Sequence, residues 1–102
     1  MIIPDDIDPV IHERVRLLII ATLALVPEMS FNELKSTLSL TDGNLSGHSR
    51  KLEDAGYIEI EKSFQGRRPH TVLRLTKKGR LAYQRHLEML RTIVERAEEM
   101  QE

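Results

Sequence analysis

The sequence predicts a mostly α-helical (α+β) fold with one small antiparallel β-hairpin, built as a single domain over residues 1–102. Four segments carry apolar residues at the three- and four-residue spacing of amphipathic helices. Two runs that alternate apolar and polar residues flank a stretch containing Gly66 and Pro69, as in a hairpin. The chain has 102 residues, 40% of them hydrophobic, which is enough for one core but not for two.

Composition excludes several kinds of chemistry. The chain contains no cysteine, so it has no disulfide, zinc ribbon, thiol nucleophile or cysteine-based sensor. Near the N-terminus, Asp5 and Asp6 stand where a signal peptide would carry basic residues. The apolar run from Val15 to Val26 is interrupted by Arg16 and is too short to span a bilayer. We therefore expect a cytoplasmic protein with no membrane partner.

The first helix is expected at residues 9–25. Asp8 followed by Pro9 is a helix-start signal, because an Asp side chain accepts free amide hydrogens and Pro fits the first helical position. The apolar residues of this segment lie on several helix faces, so more than one side must be covered. Either a second copy of the chain or the rest of the same domain covers the additional side.

Two short helices follow. Ser30 and Glu33 form a capping box that predicts a helix at 31–38, after Pro27 has ended the first. Thr41 is placed to cap a third helix at 42–55, and Gly56 suits its left-handed C-terminal cap. Two short helices joined this tightly form a helix-turn-helix.

The third helix presents two different faces. Leu45, Ser49 and Leu52 share one face and are predicted to be buried, whereas the opposite face is short and polar. Asn44 and Arg50 carry the donors that form bidentate bonds with adenine or guanine. The residues predicted to face a DNA groove are Asn44, Ser46, Gly47 and Arg50. Those predicted to contact phosphates are Ser39, Thr41 and Lys51. An ordinary solvated helix face is the alternative.

The hairpin is predicted at residues 57–75, with the link from Ser63 to His70 as its turn. Arg67 and Arg68 at the tip could reach a minor groove or its phosphates, and Lys62 lies on the strand leading to them. Phe64 is expected to pack back onto the strands.

The last helix is predicted at residues 77–100 and is capped by Thr76. Its apolar residues repeat in steps of four and three, which is the spacing of a coiled-coil seam and indicates dimerisation. Folding back onto the first helix within one chain is the alternative. The expected dimer contacts are Val10, Ile11, Leu18, Tyr83, Leu87, Leu90, Ile93, Val94 and Ala97.

Charge is concentrated in the middle of the chain. The net charge is −1, yet nine basic and only four acidic residues lie between Asn44 and Arg80. A basic centre between acidic ends is typical of a small nucleic-acid-binding protein. The order of helices, hairpin and final helix is that of a winged helix-turn-helix.

The sequence NLSGHSRKLEDAGYIEIEKSFQGRRPHTVLRLTKKGR, starting at Asn44, resembles the small winged helix transcriptional regulators of bacteria and archaea, akin to the arsenic-repressor and multiple-antibiotic-resistance repressor groups. The resemblance implies a homodimer that binds a pseudo-palindromic operator in double-stranded DNA, with its wings in flanking minor grooves. Ser49 departs from the pattern, because relatives usually have a large aliphatic residue there. The metal-sensing cysteines of the arsenic-repressor branch are also missing.

Catalysis and cofactors are not expected. The four histidines are scattered over different elements, and no phosphate-binding glycine loop or nucleophile elbow is present. His48 is expected to pack in a half-buried position rather than to bind a metal. A protein-interaction module without DNA binding is the alternative function, and a small-molecule effector between the first and last helices remains open.

Overall fold

The computed structural model describes residues 7–101 and confirms the predicted fold class: four helices, a small antiparallel sheet and a long C-terminal helix. Asp5 and Asp6, on which the argument against a signal peptide rests, lie outside the described residues. No helix within residues 7–101 has the length and apolar character needed to cross a membrane. The elements are α1 (Arg14–Leu23), β1 (Met29–Ser30), α2 (Phe31–Leu38), α3 (Asp42–Asp54), β2 (Ile58–Gln65), β3 (Arg68–Leu75) and α4 (Lys77–Gln101).

Helix α1 is shorter than the predicted 9–25, because it begins at Arg14 and ends at Leu23. The Asp8 carboxylate accepts hydrogen bonds from the backbone N–H groups of Val10 at 2.9 Å and Ile11 at 3.4 Å, but it stabilises a turn rather than a helix. The turn directs Ile11 into the core, where its side chain is 0% exposed. The prediction that Ile11 is a dimer contact is therefore wrong.

One hydrophobic core joins the helices to the sheet. The core consists of Ile11, Ile19, Ile20, Leu23, Leu34, Leu45, Leu52, Ile58, Leu73 and Ala82.

The end of α3 is held by a Schellman motif, in which the N–H of Tyr57 donates to the carbonyl of Leu52 at 2.9 Å and Gly56 adopts φ 81°.

The sheet has three strands in the order β1-β3-β2, one more than the hairpin that the sequence predicts. Strand β1 is only two residues long, and Met29 pairs with Leu73 while Ser30 pairs with Val72. Ser30 also caps α2, since its hydroxyl accepts the Glu33 N–H at 3.1 Å. A two-residue strand shows no alternation, so the sequence pattern could not reveal it.

The hairpin, which we call the wing, has a much tighter turn than the expected Ser63–His70 link. The strands continue to Gln65 and Arg68, which face each other, so only Gly66 and Arg67 turn. Gly66 has φ 64°, as a two-residue hairpin turn with Gly first requires. Arg68 is therefore a strand residue and not part of the tip.

Phe64 does not pack back onto the strands, contrary to expectation. Its side chain is 72% exposed, and it lies opposite Pro69 in the hairpin. Pro69 is tolerated there because β1 pairs only with Val72 and Leu73, so one edge of β3 is free beyond them.

Helix α4 extends well beyond the core, and the described chain measures 61 × 25 × 21 Å. Thr76 caps the helix as predicted, because its hydroxyl accepts the Gly79 N–H at 3.0 Å. Ala82, His86 and Met89 form a stripe that is buried within the chain. Residues 94–101 are all exposed, so this part of α4 does not fold back onto α1.

Candidate nucleic-acid interface

The exposed face of α3 carries the predicted DNA contacts. Leu45, Ser49 and Leu52 are buried on the opposite face, as their spacing predicts. A Cβ added to Gly47 would meet no atom within 4 Å, so a second molecule can approach the helix backbone closely there. The exposed residues of this face are Asn44, Ser46, Gly47, Arg50 and Lys51.

The turn between α2 and α3 presents Ser39 and Thr41 to solvent. Ser39 adopts the left-handed conformation, with φ 54°, and caps α2. The Thr41 hydroxyl accepts the Asn44 N–H at 3.1 Å, which leaves its own hydrogen free to donate to a phosphate. Lys35 and Asp42 form an exposed ion pair of 2.7 Å across the turn.

A cleft of about 550 Å³ separates α3 from the wing. Ser46 and Arg50 of α3 line it together with Lys62 of β2, so the fold brings these three predicted contacts together. Phe31 and Ile60 contribute apolar lining. The cleft thus combines two cations and the carboxylate of Glu53 with an apolar surface.

Other predicted contacts lie apart from this cleft. Asn44, Gly47 and Lys51 line a separate, shallower depression of about 220 Å³. Strands rise about 3.4 Å per residue, so the turn with Arg67 lies roughly 14 Å beyond Lys62. The candidate interface is therefore elongated, with the helix at one end and the wing tip at the other.

The cations of this surface are available for a ligand. Within residues 7–101, the salt bridges at or below 4.0 Å do not include Arg50, Lys51, Lys62, Arg67 or Arg68. Arg74 differs, because its guanidinium lies 2.9 Å from Glu28 and 3.2 Å from Glu61. The hydrogen bond with Glu28, followed by that with Glu61, raises the pKa of Arg74. Arg74 therefore belongs to the sheet and not to the interface.

Sequence reasoning missed the role of Arg16, which it treated only as an interruption of an apolar run. Arg16 is 8% exposed, and its Nε donates to the carbonyl of Val10 at 2.6 Å. Its guanidinium also contacts His48, whose half-buried ring lies against α1. Among the described residues, no cluster of three or more His, Asp or Glu side chains could hold a metal. An arginine within an apolar helix is the one signal that could have indicated a buried polar partner.

Ser49 lies on the buried face of α3, opposite the predicted DNA contacts, and also lines the cleft. Its side chain is 2% exposed, and its Oγ has no hydrogen-bond partner within the described part of the chain. A hydroxyl placed among Leu45 and Leu52 packs less well than an aliphatic side chain would.

The expected dimer contacts divide into two groups. Val10 and Tyr83 are half-buried and pack against the chain's own core, as Ile11 does completely. Leu90 and Ile93 are half-buried, and Ala97 is exposed. Among the expected dimer contacts, the large side chains that remain in solvent are Leu18 (41% exposed), Leu87 (39%) and Val94 (54%).

A second pocket, of about 230 Å³, lies between the N-terminal turn and α4. The Tyr57 hydroxyl donates to the Asp8 carboxylate, and burial together with this bond raises the pKa of Tyr57 to about 12. His86 is 3% exposed, and neither ring nitrogen has a partner within residues 7–101. Burial, and next the nearby His12, lower the pKa of His86.

The fold and this surface define a winged helix-turn-helix protein with an exposed basic interface. Residues 15–94 match the family described as the winged helix DNA-binding domain, and the chain belongs to that family.

The chain is also similar to a known protein sequence and to solved structures. The chain is 40% identical over 78 residues to the uncharacterized protein MJ0432 of Methanocaldococcus jannaschii. The aligned region covers 76% of this chain and 85% of that protein. It superposes on a transcriptional regulator homologue from Pyrococcus horikoshii OT3 with TM-score 0.79 and 31% identity, over 84% of this chain and 85% of that one. NadR in complex with 4-hydroxyphenylacetate shares the fold, with TM-score 0.68 and 23% identity over 92% of this chain and 69% of that one.

Proposed function

We propose that this protein is a sequence-specific double-stranded DNA-binding transcriptional regulator that acts in the cytoplasm as a homodimer. Helix α3 enters the major groove, and the wing lies at the adjacent minor groove. The observation that carries the proposal is the set of exposed cations on α3 and the wing that form no salt bridge within residues 7–101, on the face where α3 is polar and open. Among these contacts, Asn44 and Arg50 read bases, while the other polar side chains fix the register on phosphates.

The homodimer is supported by the second apolar stripe of α4. Leu87 and Val94 lie in a seam of four-three spacing, and both remain exposed in the single chain. A helix of 25 residues whose C-terminal part packs on nothing within residues 7–101 is marginal in water, and pairing with a second α4 would stabilise it. Two recognition helices held in this way would read half-sites one helical turn apart, about 34–36 Å.

The first experiment is a titration of the protein with random-sequence duplex DNA at 50 and 200 mM salt, with the mass in solution measured alongside. We expect a dimer mass and binding that weakens steeply with salt. Selection from a random duplex pool then identifies the preferred operator. If the protein fails to bind DNA at low salt, a function as a DNA-binding regulator is excluded, and a function as a protein-interaction module remains.

Charge-matched variants show where the DNA lies. Arg67→Ala together with Arg68→Ala should weaken binding to every duplex and lower the salt slope by roughly two. The control pair, Arg14→Ala with Arg96→Ala, removes two exposed arginines from α1 and α4. If the control changes the slope as much as the wing variant, the wing does not bind DNA.

The dimer seam is tested in the same way. Val94→Glu places a charge in the exposed stripe and should convert the dimer to a monomer in analytical ultracentrifugation. Glu95→Lys changes a neighbouring exposed position outside the seam and should leave the dimer intact. A dimer that survives Val94→Glu would place the interface elsewhere.

We also propose that the pocket containing His86 binds a small polar effector. The observation that favours it is the buried imidazole, which has no hydrogen-bond partner within residues 7–101 and lines the pocket with Arg85 and Tyr57. The probe is 4-hydroxyphenylacetate, measured by its shift of the melting temperature of the wild type and of His86→Phe. A shift that is equal in both proteins would place binding outside this pocket.

A further inference from the structure

Phe64 occupies a position for which the fold provides no apolar environment. Residues 61–69 of the wing are all exposed, because the hairpin extends beyond the core. Phe64 is one of two phenylalanines in the chain and is 72% exposed. Since neighbouring positions carry Glu61, Lys62 and Ser63, a polar residue at position 64 would maintain the hairpin equally well.

The hairpin register places Phe64 beside a second apolar residue and between cations. Phe64 faces Pro69, and the next pair on the same face of the hairpin is Lys62 with Thr71. Lys62 and Thr71 line the cleft that Arg50 of α3 also lines. The Phe64 side chain therefore lies on the face of the wing that lines the cleft, with Arg67 of the turn close by in sequence.

This combination suits one ligand. The minor groove of DNA has apolar deoxyribose walls between two rows of phosphates, and proteins that bind it combine Arg or Lys with apolar side chains such as Phe and Pro. A second protein chain would not explain why Lys62 and Arg67, which flank Phe64 in the wing, have no salt bridge within residues 7–101. The charge of the wing thus favours DNA as the molecule that covers Phe64.

We propose that Phe64 is a specificity-determining contact of the wing, whose ring is buried in the minor groove and selects against G·C pairs there. This inference rests on the proposed function. Guanine is the base that places an amino group in the minor groove, whereas A·T pairs present only acceptors. An apolar ring that covers this amino group removes it from water without offering a hydrogen bond, which is unfavourable. Both kinds of pair lose water from their minor-groove acceptors beneath Phe64, but only G·C pairs also lose it from an amino group, so the cost is larger for G·C.

The first test replaces Phe64 with Ala and measures affinity for the selected operator at two salt concentrations. Burial of a phenyl ring corresponds to a loss of about 10-fold or more, and the loss should be equal at both salts because the contact is apolar. Phe64→Leu should retain most of the affinity. Arg67→Ala should instead lower the salt slope by about one. Equal melting temperatures of the variants show that the fold is intact, as expected for an exposed position.

The second test separates the amino group from the rest of the base pair. Inosine·C pairs keep the major-groove pattern of G·C but lack the minor-groove amino group. In the segment beneath the wing, we expect the wild type to bind A·T and inosine·C duplexes several-fold more tightly than G·C duplexes. Phe64→Ala should reduce this ratio towards one.

The third test uses the absence of tryptophan from the chain. Phe64→Trp introduces a single fluorophore, and its emission should shift to shorter wavelength when operator DNA is added. A shift on raising protein concentration without DNA would show contact with a second copy and overturn the proposal. Failure of the wild type to bind DNA would overturn the proposed function and this inference together. Wild-type DNA binding with an unchanged Phe64→Ala affinity would overturn this inference alone.

Discussion

Nη1 of Arg16 in α1 lies 3.0 Å from Nδ1 of His48 in α3. A guanidinium can only donate, so Nδ1 of His48 is the acceptor in this contact. The same guanidinium donates through Nε to the carbonyl of Val10 at 2.6 Å. One buried arginine thus connects the N-terminal turn to the helix that carries the predicted base contacts.

Replacing Arg16 should destabilise the protein and weaken DNA binding. Arg16→Met keeps much of the buried volume but leaves the Val10 carbonyl and the His48 ring without their donor, at a cost of about 2 kcal/mol in the free energy of unfolding. Urea denaturation at pH 7 measures this. Arg14→Met is the control, because Arg14 is exposed on the same helix. Similar losses in both variants would show that the hydrogen bonds of Arg16 contribute little.

Gly79→Ala should also destabilise the protein, although Ala is the better helix former. A Cβ at position 79 would lie 2.0 Å from the carbonyl oxygen of Tyr57 and 2.8 Å from Cδ1 of Leu75. Relief of this clash requires α4 to move away from the start of β2, which costs about 1–3 kcal/mol or more. The melting temperature of the purified variant is the measurement.

The matched control for this substitution is Gly47→Ala in α3. No atom lies within 4 Å of a Cβ built there, so the substitution should stabilise the helix by up to about 1 kcal/mol through helix propensity. The same chemical change is therefore expected to have opposite signs at the two positions. A stabilising Gly79→Ala would mean that the approach of α4 to Tyr57 is not tight.

The fold class was predictable because its signals are local. The Ser30 and Thr41 caps and the left-handed Gly56 each depend on a few neighbouring residues, and the structure shows all three. The start of α1 was not predictable in the same way. Asp8 does accept backbone N–H groups, as its position predicts, but tertiary burial of Ile11 makes the segment a turn.

The candidate site was predictable to the extent that helix periodicity determines exposure. The ten predicted DNA contacts are all exposed, yet only Ser46, Arg50 and Lys62 lie around one cleft. Sequence could not show that Arg74 is paired with glutamates, because Glu28 is distant in the chain and meets it only through the sheet. The interaction of the ten predicted contacts with DNA stays a prediction.

Ser49→Ala should raise stability. The Ser49 hydroxyl is buried and finds no acceptor or donor among the described residues, so its removal relieves a desolvation cost of about 1 kcal/mol. For a domain of this size that corresponds to an increase of about 4–8 °C in melting temperature. Ser46→Ala, at an exposed position of α3, is the control and should change little. A lower melting temperature for Ser49→Ala would reveal a hydrogen bond to the hydroxyl.

Acidification should destabilise the fold through His86. The pKa of His86 is lowered in the folded protein, chiefly by burial, whereas in the unfolded chain it is about 6.5. Below that pH the unfolded state takes up a proton that the folded state does not, so the free energy of unfolding falls as pH decreases from 7 to 5. The neighbouring groups are His12, Asp8 and Arg85.

The contribution of His86 is isolated by comparing urea denaturation of the wild type and His86→Phe at pH 7.5, 6.0 and 5.0. The variant should lose less stability on acidification than the wild type does. His70→Gln, on the wing, removes a histidine that is outside the pocket and should behave like the wild type. An identical pH dependence of the free energy of unfolding in the wild type and His86→Phe would show that His86 does not cause the loss of stability in acid.

Arg50 should discriminate between specific and random DNA. If its guanidinium donates to guanine in the major groove, Arg50→Ala costs about 1–3 kcal/mol at the selected operator and little on random duplex. Lys51→Ala is the matched control on the same helix, and as a phosphate contact it should weaken both complexes about equally and lower the salt slope by about one. The two residues are adjacent and equally charged, so only the geometry of base contact distinguishes their effects. Equal losses on operator and random DNA for Arg50→Ala would assign Arg50 to the phosphate backbone and leave Asn44 as the principal base contact.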